Sequence, residues 1–159
     1  MDLMVPFEEE LRRMPAVVVE AARGLPGSVV ADRPLAGGFA MIEHVWHLAD
    51  LETDAYEVRI RRMLEEDEPE LPGFDGEAVA AKRKYRALRL RDGLKKFADA
   101  RERNLAALEA LPDEAWQRTG VLEGLGKVTL RDIPRMMHEH DLSHRAEIEA
   151  LLEELAARR

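Results

Sequence analysis

The sequence predicts an all-α fold, a four-helix bundle with long connections and no sheet. Three observations carry that expectation. Ala, Leu, Glu and Arg dominate a chain in which aromatic residues make up only 5%, and that composition favours helix. Apolar residues recur at steps of three and four along four segments. Stretches rich in Gly and Pro separate those segments. At 159 residues, 46% apolar and 35% charged, the chain suits one domain over 1–159 with a buried core.

The first helix is expected over about 6 to 22, with Pro6 at its start and Gly24 at its end. Pro15 lies inside it, which predicts a kink or break near Arg13. "GLPGSVVADRPLAGG" reads as a connector, because its "VVA" has no strand to pair with. The second helix is expected over about 39 to 65, ending in the turn-rich "DEPELPGFDG". The third is expected over about 77 to 111, with Asp92 and Gly93 placed to break it. Pro112 and Asp113 then open a loop through "WQRTGVLEGLGK", anchored by Trp116. Thr129 is positioned as the N-cap of the fourth helix, with Asp132 at the third helical position. That helix is expected to reach about 156.

Charge and composition exclude several functions. The formal net charge is -8, which repels a nucleic-acid backbone. The basic run "KRKYRALRLR" does not override this, since helical spacing spreads it around a solvated face. There is no cysteine, so disulfides, thiolate metal sites and a cysteine nucleophile are excluded. "MDLMVPFEEELRR" lacks the order of a signal peptide, and no stretch has the apolar length of a membrane span. A cytoplasmic location is the resulting expectation.

The chemistry concentrates in the histidines. Leu130, Ile133, Met137, Ile148, Leu151 and Leu155 form the apolar stripe of the fourth helix. His140 and His144 fall where that stripe should continue, whereas His138 turns outward. On the second helix, Leu48, Leu51, Ala55 and Val58 mark the buried face, and both His44 and His47 belong to it. Buried imidazoles cost desolvation unless both ring nitrogens are satisfied. A pair at i and i+4 with a third ligand from a facing helix can hold a divalent metal and leave positions open. Asp50, Glu52, Asp141 and Glu43 are the carboxylates near enough in sequence to take the other ring N–H groups. The competing reading makes these histidines ordinary polar core residues in a metal-free bundle.

"HDLSH" also approaches the H-E-x-x-H zinc-protease motif. Asp141 is too short for the general-base role, and little chain follows His144 to supply a third ligand. Tyr85 and Arg101 fit core packing and a surface ion pair better than a cavity wall. Trp46, about 100° round the helix from His47, fits a packing or dimer role. The stripe "AVVVEAA" suits either the bundle core or a partner surface.

"GGFAMIEHVWHLADLE" and "LRDIPRMMHEHDLSHRAEI" resemble the second-helix and last-helix signatures of the DinB-like, damage-inducible superfamily. "RIRRMLEEDEPELPGFDG", "KKFADARERNLAALEAL" and "WQRTGVLEGLGKVTL" are also similar, so the resemblance spans nearly the whole chain. It implies a four-helix bundle that binds one divalent metal through His47, His140 and His144. The match to "HLAD" selects His47 over His44. Zinc or nickel is the first expectation for the metal, manganese or iron the next. The resemblance further implies a metal-dependent thiol S-transferase-like enzyme, in which a low-molecular-weight thiol such as bacillithiol or mycothiol attacks a small electrophile. Without a cysteine, the nucleophile must come from outside, as a thiol or as water, and a hydrolase-like enzyme is the variant with water. A homodimer also follows from the likeness. His44 and Glu43 are candidates to stand beside the metal as acid or base. The alternative is a non-catalytic metal-binding or stress-response interaction module, a dimeric helical bundle recognisable by a filled fourth metal position. Two departures from the pattern stand out: Ala40 replaces a capping serine, and "TGVLEGLGK" lacks a histidine found in some relatives.

Overall fold

The computed structural model describes residues 3, 4 and 6–158. Helix α1 (Glu8–Arg23) runs unbroken through Pro15, so the expected break near Arg13 does not occur. Pro15 has no N–H for the carbonyl of Leu11, four residues earlier. Arg101 Nη1 donates to that carbonyl instead, at 2.9 Å. The connector that follows is a series of turns; Val29–Ala31 forms no strand.

The second expected helix is present as one rod in three parts. Helix α2 (Met41–Leu51) leads through a π-helical turn, Glu52–Tyr56, into α3 (Glu57–Glu65). A π-turn inserts one residue and rotates everything beyond it. Val58, expected on the buried face, is therefore only half-buried. Tyr56, Arg59, Ile60 and Met63 are buried in its place. Every residue of α2 is buried, as suits the central helix of the bundle.

The third expected helix is divided. Helix α4 (Gly76–Arg83) ends at Lys84, which takes the left-handed conformation at φ 53°. A short 3₁₀ turn, Tyr85–Ala87, then precedes α5 (Leu90–Glu109). The break thus precedes Asp92 and Gly93. Gly93 lies inside α5, where an added Cβ would come within 2.9 Å of Trp46 and Val45. Its role is close approach of α5 to α2.

The absence of a sheet, expected from the sequence, is incorrect. Three short strands form one: β1 (Glu70–Leu71), β2 (Thr119–Leu122) and β3 (Gly126–Thr129). β2 and β3 pair antiparallel, and β1 joins β2 parallel. Positive φ at Gly124 and Gly126 makes the hairpin turn. Leu71, Leu122 and Val128 face one of the main apolar clusters. Thr129 and Asp132 form the anticipated cap, with Thr129 N–H donating to Asp132 Oδ2 at 2.9 Å. A 3₁₀ turn there leads into α6 (Ile133–Ala157).

α2 packs on α5 and α6, and α1 packs on the same two helices. The two larger apolar clusters lie around Leu51, Leu105, Ile133 and Met137 and around Val18, Leu48, Phe97 and Ile148. Arg101 is part of a polar layer inside this core and is only 2% exposed. Its Nε and Nη2 donate to Glu52 Oε1 at 2.9 and 2.7 Å. Its Nη1 and Nη2 donate to Asp141 at 2.7 and 2.8 Å. Asn104 donates to the second Glu52 oxygen at 2.7 Å. Among the described residues, no helix is long and apolar enough to cross a membrane.

Removing one partner from such a network leaves buried charge uncompensated. Arg101→Met should lower the unfolding free energy by about 3–5 kcal/mol in urea denaturation. Adding Glu52→Gln and Asp141→Asn to that variant should recover part of the loss.

Candidate metal centre

The apolar stripe of α6 passes from Met137 in one cluster to Ile148 in the other. His140 and His144 occupy the interval and face α2, where His47 meets them. His47 Nε2 and His140 Nε2 are 3.3 Å apart. The His144 ring centroid is 4.6 Å from that of His47 and 4.4 Å from that of His140. One nitrogen from each ring lies within 4.8 Å of the other two. Two nitrogens bound roughly 2.0–2.1 Å from one tetrahedral ion would stand about 3.3 Å apart, so the pair fits such an ion.

The rings are desolvated and neutral. Burial pushes His44, His47 and His140 down to about 4, and His144 down to about 2. Neighbouring histidines deepen the effect for His44, His140 and His144; Asp50 opposes it weakly for His47. At neutral pH each ring therefore keeps a lone pair. His47 Nδ1 and His140 Nδ1 are buried with no hydrogen-bond partner among the described residues. Imidazoles left this incompletely satisfied are costly. A cation at their common centre would use the nitrogens that now face one another.

His44 stands outside this group. Its Nδ1 is 2.9 Å from Nδ1 of His144, so one ring donates and the other accepts. Its Nε2 lies 3.9 Å from Glu147, whose side chain is 55% exposed. His44 therefore orients His144, the place expected for a carboxylate. The four expected carboxylates are occupied elsewhere. Glu43 accepts from Arg33 at 2.7 and 2.8 Å and from the Ala40 N–H at 3.1 Å. That last bond supplies the cap which Ala40 itself cannot. Asp50 accepts from Tyr85 at 2.7 Å, from Arg83 and from Lys96. Glu52 and Asp141 bind Arg101.

Tyr85 is buried, in line with its reading as a packing residue, whereas the ion pairs of Arg101, expected at the surface, lie inside the core. Trp46 stacks on Tyr85 and donates to the Arg89 carbonyl at 3.1 Å. His138 packs on Phe7, away from the centre. "AVVVEAA" supplies Val18 and Ala22 to the bundle's own core.

Two clefts open from the three histidines. One, of about 720 Å³, is lined by Leu51, Tyr56, Arg59 and Met136. The other, of about 730 Å³, is lined by Gly38, Phe39, His144 and Glu147. His47, His140 and Phe74 belong to both. The Phe39 and Phe74 rings lie 5.4 and 5.8 Å from the His47 ring and restrict water there. Gly76 backs the same ring: an added Cβ would sit 2.6 Å from His47 Cε1 and 2.8 Å from Nδ1. Sequence reasoning missed Phe74, Gly76, Tyr56 and Arg59. "FDG" offered only a turn signal, and the last two reach the cleft through the π-turn.

A family model described as the DinB superfamily matches residues 10–148. Among solved structures, YfiT from Bacillus subtilis superposes with a TM-score of 0.87 at 21% identity. The match covers 96% of this chain and 87% of that one. YfiT is described as a probable metal-dependent hydrolase with an unusual four-helix bundle topology. At this identity the likeness shows the fold alone. No curated protein matches.

Two outcomes follow from the site's geometry. In the native state the histidines resist protons that the unfolded chain accepts near its ordinary value of 6.5. Their contribution is complete above about 6.5 and is lost as pH falls towards about 4. Melts of chelator-treated protein should therefore show a steeper acid-side loss than melts of the His140→Ala/His144→Ala variant. Separately, Gly76→Ala should displace His47 and weaken metal binding about tenfold or more in chelator competition. Gly27→Ala, at a site with open space, should leave it unchanged.

Proposed function

Since the chain belongs to the DinB superfamily, we propose that His47, His140 and His144 hold one divalent metal ion in a metal-dependent thiol S-transferase-like enzyme. The observation that carries this reading is the convergence of three neutral imidazoles where two clefts meet. Imidazole donors suit zinc and nickel first, with iron and manganese less favoured. Such an ion, with positions left open, lowers the pKa of a thiol or water into the physiological range.

The chain's own residues supply the rest. His44 holds the His144 ring through the Nδ1–Nδ1 hydrogen bond. Gly76 lets the backbone of α4 approach His47 and fix its ring. Phe39 and Phe74 exclude water from the reacting centre. The other ring nitrogen of His44 faces Glu147 at 3.9 Å, on the side that reaches solvent. With no cysteine in the chain, the attacking sulfur arrives as a cosubstrate. Two clefts meeting at one centre favour a reaction between two molecules, thiol from one side and electrophile from the other. Hydrolysis, the chemistry attributed to YfiT, is the second reading: water then replaces the thiol and only one cleft is needed. Glu43, engaged by Arg33, supports the start of α2 and has no part in this scheme.

Untagged protein purified without chelator should carry close to one zinc, nickel, manganese or iron ion per chain by mass spectrometry. The His140→Ala/His144→Ala variant should carry almost none. The loaded protein should then conjugate bacillithiol, mycothiol, glutathione or coenzyme A to at least one of a panel of small electrophiles. Equal, negligible metal in both proteins after reconstitution would leave the histidines structural and remove the basis of the proposal.

A further inference from the structure

Arg59 is 7% exposed, yet among the described residues no carboxylate pairs with it. Its Nε is buried without a hydrogen-bond partner. Its guanidinium lies over the Tyr56 ring, 5.8 Å from the centroid. This is unusual for a buried cation, because an isolated charge in a protein interior is strongly disfavoured. Arg101 and Arg83 show the ordinary solution in this same chain, each on a carboxylate partner.

Arg59 also has a definite place. It lines the cleft of about 720 Å³ that ends at His47 and His140. Its charge helps to keep His140 neutral, so the two groups are electrostatic neighbours. The other cations of this cleft are engaged and more exposed. Lys127 lies 3.5 Å from Glu68. Arg135 lies 3.4 Å from both Asp132 and Glu139, the two acids that line the cleft.

We infer that Arg59 is the receptor for an oxyanion, a carboxylate or phosphate, carried by the substrate that enters this cleft. A guanidinium offers a planar fork that matches either group with two parallel hydrogen bonds. An anion seated there supplies the missing partner and directs the remainder of the molecule towards the three histidines. The inference deepens the proposed two-substrate reading, on which it rests, by giving one of the two molecules a charge and an orientation. Tyr56 packs against the guanidinium and positions it.

The test is calorimetric titration with glutarate, methylphosphonate and the neutral glutaramide. Four proteins are compared: the parent, Arg59→Gln, Arg59→Lys and His140→Ala/His144→Ala. The parent should bind at least one anion and not the diamide. Arg59→Gln should bind it about tenfold more weakly or worse, the range expected for lost charge-assisted hydrogen bonds. Arg59→Lys should be intermediate, and it replaces the glutamine variant should that one fail to fold. With all four proteins titrated after metal removal, the histidine variant should retain most of the binding. Glutarate and methylphosphonate distinguish a carboxylate from a phosphate ligand. Anion binding untouched by both Arg59 variants but lost with the histidines would place the anion at the histidines and overturn the inference. Failure of both anions to bind the parent would also overturn it. Neither thiol nor electrophile is present, so failed conjugation leaves this result intact. Failed anion binding, in turn, leaves the metal and thiol reading standing with an uncharged substrate.

Discussion

Arg101 donates to Glu52, to Asp141 and to the Leu11 carbonyl, and through them α5 is tied to α1, to the π-turn and to α6. The rest of the arrangement depends on that clamp. It accommodates Pro15 by taking up the carbonyl that the proline leaves open. It holds Glu52 at the start of the π-turn, from which Tyr56 and Arg59 reach the cleft. It grips Asp141, the residue that follows His140 on α6. At about 100° per residue, fixing Asp141 fixes the rotation of His140 and His144 towards α2. Apolar residues could fill the same volume with equal or better stability. They would not specify the rotation of each helix in the same way, and the histidines would lose their common focus.

The centre departs from the rules that govern the rest of the core. Elsewhere the buried charges are matched: Asp50 accepts from three donors, Glu43 from Arg33 and a backbone amide. At the centre, two imidazole nitrogens and the Arg59 Nε have no partner among the described residues. Unsatisfied groups gathered in one place, in a core that satisfies its polar atoms elsewhere, mark where stability has been given up for binding. The groups differ in what they call for. The imidazole nitrogens that converge on the centre suit a cation, with the unpartnered Nδ1 atoms on the other side of the His47 and His140 rings, whereas the guanidinium calls for an anion. The two demands meet in one cleft, and a metal ion beside a negatively charged substrate would answer both.

The legible parts of the sequence were those set by local pattern. The α6 stripe, interrupted at His140 and His144, and the Thr129–Asp132 cap each depend on residues within a few turns. The parts that were not legible depend on distant chain. The π-turn has no composition of its own, so Val58 was expected where Arg59 and Ile60 are buried. Strands of two and four residues are too short to show a period, and β1 pairs with a strand 51 residues away in sequence (Glu70 with Val121). Lys84 in a left-handed conformation carries no propensity signal. The carboxylates near the histidines were assigned to them on sequence proximity alone. Three of the four are claimed by cations on α4 and α5, whose arrival at that point is tertiary.

The opposition between surface and site charge bears on what can enter. The chain carries a formal charge of -8, and its surface acids repel extended polyanions over a Debye length of about 8 Å at physiological salt. Inside the cleft the balance reverses. The histidines are neutral, Asp132 and Glu139 are both turned towards Arg135, and Arg59 is unopposed. A divalent ion at the centre would add to that local positive potential. A small molecule with one or two negative charges crosses the outer field at modest cost and is then attracted within low-dielectric walls. An extended polyanion would meet the repulsion along its whole length. The same charge distribution that disfavours a polyanion would favour a compact anionic substrate, and burial of Arg59 makes the distinction sharper than a surface cation could.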